Sequence, residues 1–219
     1  QELTLRSCAM ENLRGLKQCQ NLEVLKLYFC ETTKTKLPKL PPKLKTLIVF
    51  SSKLQTITTL TQCPALQNLD LSFCDLQEVG PIQSLRNLEK LDLQSCQSIR
   101  DVSWLKGCPR LKKLGLEGCK NLTDISDVPP SVSYLDIQNC GNIEDLAVFR
   151  KLSNLQTLCT QGPHRHDFQS CRKLTTLILT EDPSIQDLDF LQDVPQLRCL
   201  LLQNCRRLKN LQRLSTYCP

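Results

Sequence analysis

Aromatic side chains are scarce: one Trp, three Tyr and six Phe make up 5% of 219 residues. A core built from this chain must therefore be aliphatic, which suits narrow packed units filled by Leu, Ile and Val. Glycine is also rare, with seven residues in all. No G-x-x-x-x-G-K-[ST] phosphate cradle and no Gly-rich dinucleotide turn is present. There are two histidines, no H-E-x-x-H and no G-x-S-x-G. No apolar run approaches the ~18 residues of a membrane-spanning helix. These absences leave no motif for phosphoryl transfer, zinc proteolysis, serine hydrolysis or helical membrane insertion. The net charge of +6 permits nucleic-acid contact without implying it.

What the chain does contain is repetition, seen most clearly in Leu88–Arg110, LEKLDLQSCQSIRDVSWLKGCPR. Leu88, Leu91 and Leu93 close in alternation, which fits a short strand with one buried face. Ile99, Val102, Leu105 and Cys108 then recur every third residue, which suits a 3₁₀ turn better than a long α-helix. One strand and one short return form a coil that cannot bury its own leucines. Stacked coils can, so a solenoid with a parallel sheet is expected.

The pattern L-x-x-L-x-L-x-x-C-x-x-I recurs about ten times and resembles the leucine-rich-repeat family, whose motif is L-x-x-L-x-L-x-x-N/C-x-L. The resemblance covers essentially the whole chain. It implies an α/β fold: a right-handed, curved leucine-rich-repeat solenoid with its parallel sheet on the concave face. Short 3₁₀ or irregular returns would lie on the convex face. Residues 1–219 are expected to form one such domain of about ten coils, cut at both ends from a longer protein. Coils of about 22 residues look like the phosphatase-regulator-like class. Cys63-Pro64 and Cys108-Pro109 are reminiscent of F-box-protein repeats. The phrase L-x-L-x-x-C-x-x-I-x-D-[VL] resembles repeats of trypanosomatid adenylate-cyclase regulators and of some plant immune receptors. The shared implication is a non-enzymatic, regulatory scaffold that binds another protein.

Fourteen cysteines suggest a disulfide framework at first. Their register argues otherwise. Cys8, Cys30, Cys74, Cys96, Cys119, Cys140 and Cys205 all fall at the ninth repeat position. Cys19, Cys63, Cys108 and Cys171 stand where Leu85 and Leu152 stand in sister coils. A buried free cysteine behaves as a small hydrophobe, so reduced thiols and an intracellular protein, in cytoplasm or nucleus, are expected. In the family the ninth residue hydrogen-bonds the turn backbone, and a thiol does this more weakly than Asn.

Two segments depart from the rhythm. The return ETTKTKLPKLPPK should be extended and polar. Leu155–Lys173 is short, has Thr160 in place of a strand leucine, and should form a distorted coil or projecting loop. The second segment holds Cys159, His164, His166 and Cys171, residue types that could bind zinc. The spacing matches no known finger, so the expectation is no metal and no cofactor.

Strand positions three, five, seven and eight face away from the core and supply the binding candidates. Val24 and Lys26 stand there beside Tyr28, Phe29, Ile48, Phe50 and Phe73, and the last five form an apolar group where water should be met, on the scale of an interaction patch. Asp70, Asp92 and Asp136 repeat at position five as an acidic stripe beside Lys90, with Tyr134 nearby. The competing reading has Phe29 and Phe73 leaning over the edge onto neighbouring loops. A protein partner on the concave face is expected, with no small-molecule substrate and no membrane insertion. The alternative is a nucleic-acid-associated subunit using the basic ends: Lys34, Lys36, Lys39, Lys43 and Lys45 at one, Arg198, Arg206, Arg207, Lys209 and Arg213 at the other.

Overall fold

A computed structural model describes residues 1–10, 14–32, 35–50, 52–141, 143, 145–161 and 168–211. Twelve strands occur among them: β1 (Glu2–Arg6), β2 (Ala9–Met10), β3 (Val24–Tyr28), β4 (Glu31–Thr32), β5 (Thr46–Phe50), β6 (Asn68–Asp70), β7 (Lys90–Asp92), β8 (Lys113–Gly115), β9 (Tyr134–Asp136), β10 (Thr157–Gln161), β11 (Thr176–Thr180) and β12 (Cys199–Gln203). Ten of them form one parallel sheet in the order β1-β3-β5-β6-β7-β8-β9-β10-β11-β12, and β2 pairs with β4 in a separate two-stranded ladder. Each strand pairs with the equivalent strand of the next coil, as in Leu25 with Leu47 and Leu69 with Leu91. A repeated sequence produces this register because a one-residue slip would turn every leucine to the wrong face.

Most described returns hold a 3₁₀ turn, the one between β8 and β9 being an exception built of simple turns. Five-residue examples are Thr58–Gln62, Gly80–Ser84, Ser103–Gly107, Ala147–Lys151 and Asp189–Asp193. Each turns an apolar residue inward at the same register, Leu60, Ile82, Leu105, Phe149 and Leu191, and three bury the preceding residue too, Trp104, Val148 and Phe190. The three-residue spacing seen in the sequence matches the three residues per turn of this helix. The proline-rich return between β4 and β5 follows a different route. Leu37 and Leu40 still reach the core, and the Leu44 N–H closes a turn on the Pro41 carbonyl at 3.3 Å.

Among the described residues the eighth position is the corner of the coil. Ser7, Phe29, Phe73, Ser95, Asn139, Glu181 and Asn204 have φ between +50° and +61°, and Gly118 has φ +74°. This left-handed step swings the chain out of the strand and lets the ninth residue point inward. The ninth-position thiols then reach back one coil to the position-six carbonyl: Cys74 Sγ to Val49 O at 3.1 Å, Cys96 to Leu71 O at 3.4 Å, Cys119 to Leu93 O at 3.2 Å and Cys140 to Leu116 O at 3.1 Å. Ser52 continues the row, its Oγ 3.5 Å from Cys74 Sγ. Burial pushes the Cys119 and Cys140 thiols up to about 12, and those of Cys63 and Cys108 up to about 11.

Two expectations are corrected. Cys19 does not fill an aliphatic core place. It is exposed, while Cys63, Cys108 and Cys171 at the same register are buried. Cys19 belongs to the coil of β1, which is an edge strand of the sheet. In the Leu155–Lys173 coil the strand is intact through Thr160, while the projecting loop expected over residues 162–167 lies outside the described residues. β10 is a full five-residue strand paired in register with both β9 and β11, and Thr160 is fully buried. Where the described chain resumes, Phe168 enters the core against Phe149 and Phe190, at ring-centroid distances of 5.9 and 6.4 Å.

Candidate docking face

Alternation along β3 and β5 turns Leu25, Leu27, Leu47 and Val49 into the core. The intervening Val24, Lys26, Tyr28, Ile48 and Phe50 are thereby raised on the outer, concave face of the sheet, half-buried. Three of the rings gather round Phe50. Phe73 lies 5.1 Å from it, Phe29 5.3 Å edge-on, and Tyr28 6.4 Å. Phe29 and Phe73 therefore do not lean away onto neighbouring loops; they fold inward over Phe50 from the corners of their own coils. Both remain open to water, Phe29 at 56% and Phe73 at 43% exposure. The Arg6 guanidinium sits 4.5 Å over the Tyr28 ring, a cation–π contact that the repeat pattern gave no reason to expect.

Phe29 and Phe73 occupy left-handed backbone at φ 51° and 59°. Sister coils place Ser, Asn, Gly or, at Glu181, a longer polar residue at the same corner. Bulky residues rarely adopt this region, and it costs them roughly 1–2 kcal/mol each. Two large rings are thus held, against local strain, on a water-facing surface.

The position-five aspartates have a local role as well. In each of three coils Oδ1 accepts the N–H of position seven: Asp70 from Ser72 at 2.9 Å, Asp92 from Gln94 at 3.0 Å, and Asp136 from Gln138 at 3.1 Å. This side-chain-to-backbone bond competes with the ladder; β6, β7 and β9 end at their aspartate, and β8 ends at the same position with Gly115 there. β3, β5, β10, β11 and β12 carry Lys26, Ile48, Cys159, Ile178 and Leu201 there, and each runs two residues further. The second carboxylate oxygens are less committed. Asp136 Oδ2 accepts the Tyr134 hydroxyl at 3.3 Å, and Ser72 Oγ donates to Asp92 Oδ1 at 3.1 Å. Burial raises the pKa of Asp92 and Asp136 above the ordinary carboxylate value, against the lowering effect of the backbone N–H each accepts. Burial, then the Asp136 charge, also pushes the Tyr134 phenol well up.

A cavity of about 430 Å³ opens on this part of the sheet, lined among others by Thr46, Ile48, Asp70, Asp92, Lys90 and Lys113. Gly115 forms part of its wall. Sequence reasoning passed over this residue, yet a glycine at position five where neighbouring coils carry Asp was the available signal. A Cβ there would stand 2.9 Å from Asp92 Oδ1, so the missing side chain makes room for the carboxylate. Lys26 is already engaged, at 2.8 Å from Glu2, which raises the Lys26 pKa and lowers that of Glu2. Lys90 and Lys113 form no salt bridge among the described residues.

The cysteine–histidine candidate is described only at its two thiols. His164 and His166 lie outside the described residues. Cys159 is at position five on the concave side of β10, whereas Cys171 is in the core with its Sγ 3.5 Å from the Phe149 carbonyl. The two thiols thus face opposite sides of the sheet. At the basic ends, Lys36, Lys39, Lys43, Arg198, Arg206, Arg207 and Lys209 are exposed, and Lys45 pairs with Glu23 at 3.0 Å. Lys34 and Arg213 lie outside the described residues. Among the described residues no helix is long and apolar enough to cross a membrane.

Comparison with known proteins agrees with this geometry. Residues 64–106 and 86–130 match the family model of leucine rich repeats (2 copies). No curated protein matches the chain in sequence. Among solved structures, the internalin inlF of Listeria monocytogenes superposes with a TM-score of 0.81 at 20% identity, over 95% of this chain and 65% of that one. The TLR13–ssRNA13 complex gives a TM-score of 0.74 at 20% identity, over 93% of this chain and 32% of that one. InlJ of Listeria monocytogenes, whose functional domain includes a cysteine ladder, gives 0.62 at 17% identity, over 97% of this chain and 55% of that one. The chain therefore spans less than two thirds of each of these three structures. Its sequence carries leucine-rich repeats across residues 64–130, and its ten-stranded parallel sheet has the fold of a leucine-rich-repeat solenoid.

Proposed function

We propose that this chain is a regulatory, non-catalytic scaffold of the cell interior that binds a partner protein on its concave face. The docking centre is Tyr28, Phe29, Phe50 and Phe73, with Val24, Lys26 and Ile48 around it. The observation that carries this reading is the aromatic group itself. In a chain with 5% aromatic residues, four of them converge on one exposed patch, two at a backbone cost. Strain of this kind is retained where function requires it, and aromatic residues dominate interface energetics. Asp70, Lys90, Asp92, Tyr134 and Asp136 extend the face into the neighbouring coils. The internalin-like and TLR13-like folds are compatible with such a surface and do not identify its occupant.

Charge separates this reading from nucleic-acid association. Coils four to seven carry Asp70, Asp92, Glu117 and Asp136 against Lys90 and Lys113 on the concave side, a balance of −2 within a chain of net +6. A polyphosphate would be repelled there and would have to use the basic ends.

The test is affinity capture with mass spectrometry, comparing the chain with its Tyr28→Ala/Phe50→Ala variant, with and without nuclease. A captured protein should bind the variant more weakly by at least ~2 kcal/mol while the variant stays folded. Equal affinity for a well-folded variant refutes the site. A nuclease-sensitive set retained by the variant supports nucleic-acid association through the basic ends.

A further inference from the structure

The aromatic patch and the 430 Å³ cavity are not separate features. Ile48 lines the cavity and sits two residues from Phe50 on β5, so the patch runs directly into the cavity wall. From β5 the cavity crosses β6 and β7 to Gly115 on β8. It is bordered on the position-three side by Lys90 and Lys113, and on the position-five side by Asp70 and Asp92. Tyr134 stands at its far end, its hydroxyl on Asp136.

We infer that this groove holds an extended peptide segment of the partner protein, with an apolar side chain on the Phe50 cluster and a lysine or arginine in the cavity. The inference rests on the docking function proposed above and specifies what docks. Three features select the occupant. The apolar end is a platform of packed rings rather than a deep pocket, so it takes a flat or branched side chain. Towards the other end Asp70 and Asp92 line the cavity, Asp136 lies just beyond it holding the Tyr134 hydroxyl, and none of the three has a salt-bridge partner among the described residues. A basic side chain entering there would supply the missing countercharge. Lys90 and Lys113 on the opposite rim repel a cation from the position-three side, so its path is confined to the aspartate side.

The spacing follows from the sheet. From β5 to β8 is three interstrand steps of ~4.8 Å, or ~14 Å, and an extended chain advances ~3.3 Å per residue. The basic residue therefore lies about four residues from the apolar anchor, in a segment running across the strands. Such a face disfavours RNA, whose phosphates would meet the carboxylates. Gly115 matters because a side chain there would displace Asp92 and fill the cavity.

The experiment selects a random dodecapeptide library against the whole chain and measures the enriched peptides by calorimetry. Three variants are compared with the parent: Asp92→Asn with Asp136→Asn, Gly115→Leu, and Phe50→Ala. Asn keeps the side-chain carbonyl that accepts the position-seven N–H, so the paired variant removes charge without removing that bond. Thermal unfolding checks that each variant folds. Enriched peptides should carry Lys or Arg about four residues from an aromatic or branched apolar residue, and each variant should weaken them at least tenfold. Peptides that lack a basic residue, or that keep their affinity for the paired Asn variant, overturn this inference. The docking function survives that result provided Phe50→Ala still weakens them. Peptides indifferent to Phe50→Ala, or no enrichment at all, overturn both.

Discussion

The left-handed corner at Phe29 can be tested by replacing one side chain three ways. Phe29→Ala, Phe29→Asn and Phe29→Gly all remove the ring, and with it the edge-on contact to Phe50 at 5.3 Å. They differ in what remains at φ 51°. The ring is 56% exposed, so the part it buries is less than half of a side chain of ~200 Å². At ~25 cal/mol per Å² the lost burial is worth about 2 kcal/mol, as an upper value. The aromatic pair adds about 1 kcal/mol, and this loss is common to the three variants. The backbone contribution is not. Alanine keeps a Cβ in a region that costs an L-residue roughly 1–2 kcal/mol, asparagine tolerates it better, and glycine carries no steric cost there. Phe29→Asn and Phe29→Gly should therefore be more stable than Phe29→Ala by about 1 kcal/mol. At an ordinary strand position glycine would be the least stable of the three. Urea denaturation midpoints read the order directly. If Phe29→Ala equals or exceeds the other two, the corner is not left-handed and the strain argument for the aromatic patch falls. The captured partner should meanwhile be lost equally by all three, because docking depends on the ring and not on the turn.

Three further outcomes follow from the packing and the ionisation. Leu93→Ala and Leu116→Ala, both at fully buried positions, should each cost ~2–5 kcal/mol by opening a cavity between coils; denaturation shifts below ~1 kcal/mol would mean that the register is wrong. Native-state labelling with a thiol reagent should modify exposed Cys19 and Cys199 promptly, leaving Cys63, Cys96, Cys108 and Cys119 untouched until unfolding, because burial holds those four thiols protonated; rapid labelling of Cys96 by mass spectrometry would contradict the ladder. Asp92 and Asp136 have folded pKa values raised above their unfolded ones. The folded state thus binds their protons more tightly, their ionisation opposes folding at neutral pH, and the penalty lifts as pH falls through the raised value. Asp92→Asn should therefore stabilise the fold at pH 7, with a gain that shrinks and disappears below the ordinary carboxylate value of 3.8; a gain independent of pH would show that the charge is not its source.

Much of this was legible in the chain. A leucine at positions one, four and six leaves a strand no choice of inward face, and repeating that choice fixes a parallel register. The three-residue spacing of Ile99, Val102 and Leu105 likewise specified a 3₁₀ return. The outward positions followed by subtraction, which is why Tyr28, Ile48 and Phe50 could be named before any coordinates. Thr160 misled because a small polar residue in a leucine column reads as a break. The intact neighbours of β10 impose its pairing, and Phe168, three residues before Cys171 as Leu105 is before Cys108, takes the inward place of the return. Cys19 misled because burial at its register requires a coil on both sides, and its strand is at the sheet edge.

The division is physical. Periodicity is a one-dimensional property, so the sequence alone determined the solenoid, the core columns, the thiol row and the list of side chains facing outward. Distances between coils are not written in any one repeat. Only the stacked structure decided that Phe29 and Phe73 turn in over Phe50, that Cys159 and Cys171 stand on opposite sides of the sheet, and that Gly115 opens space beside Asp92. It also assigned the aspartates their second role. A carboxylate at position five looks like surface charge until the folded chain brings the position-seven N–H within reach, and that bond fixes the carboxylate against its own strand.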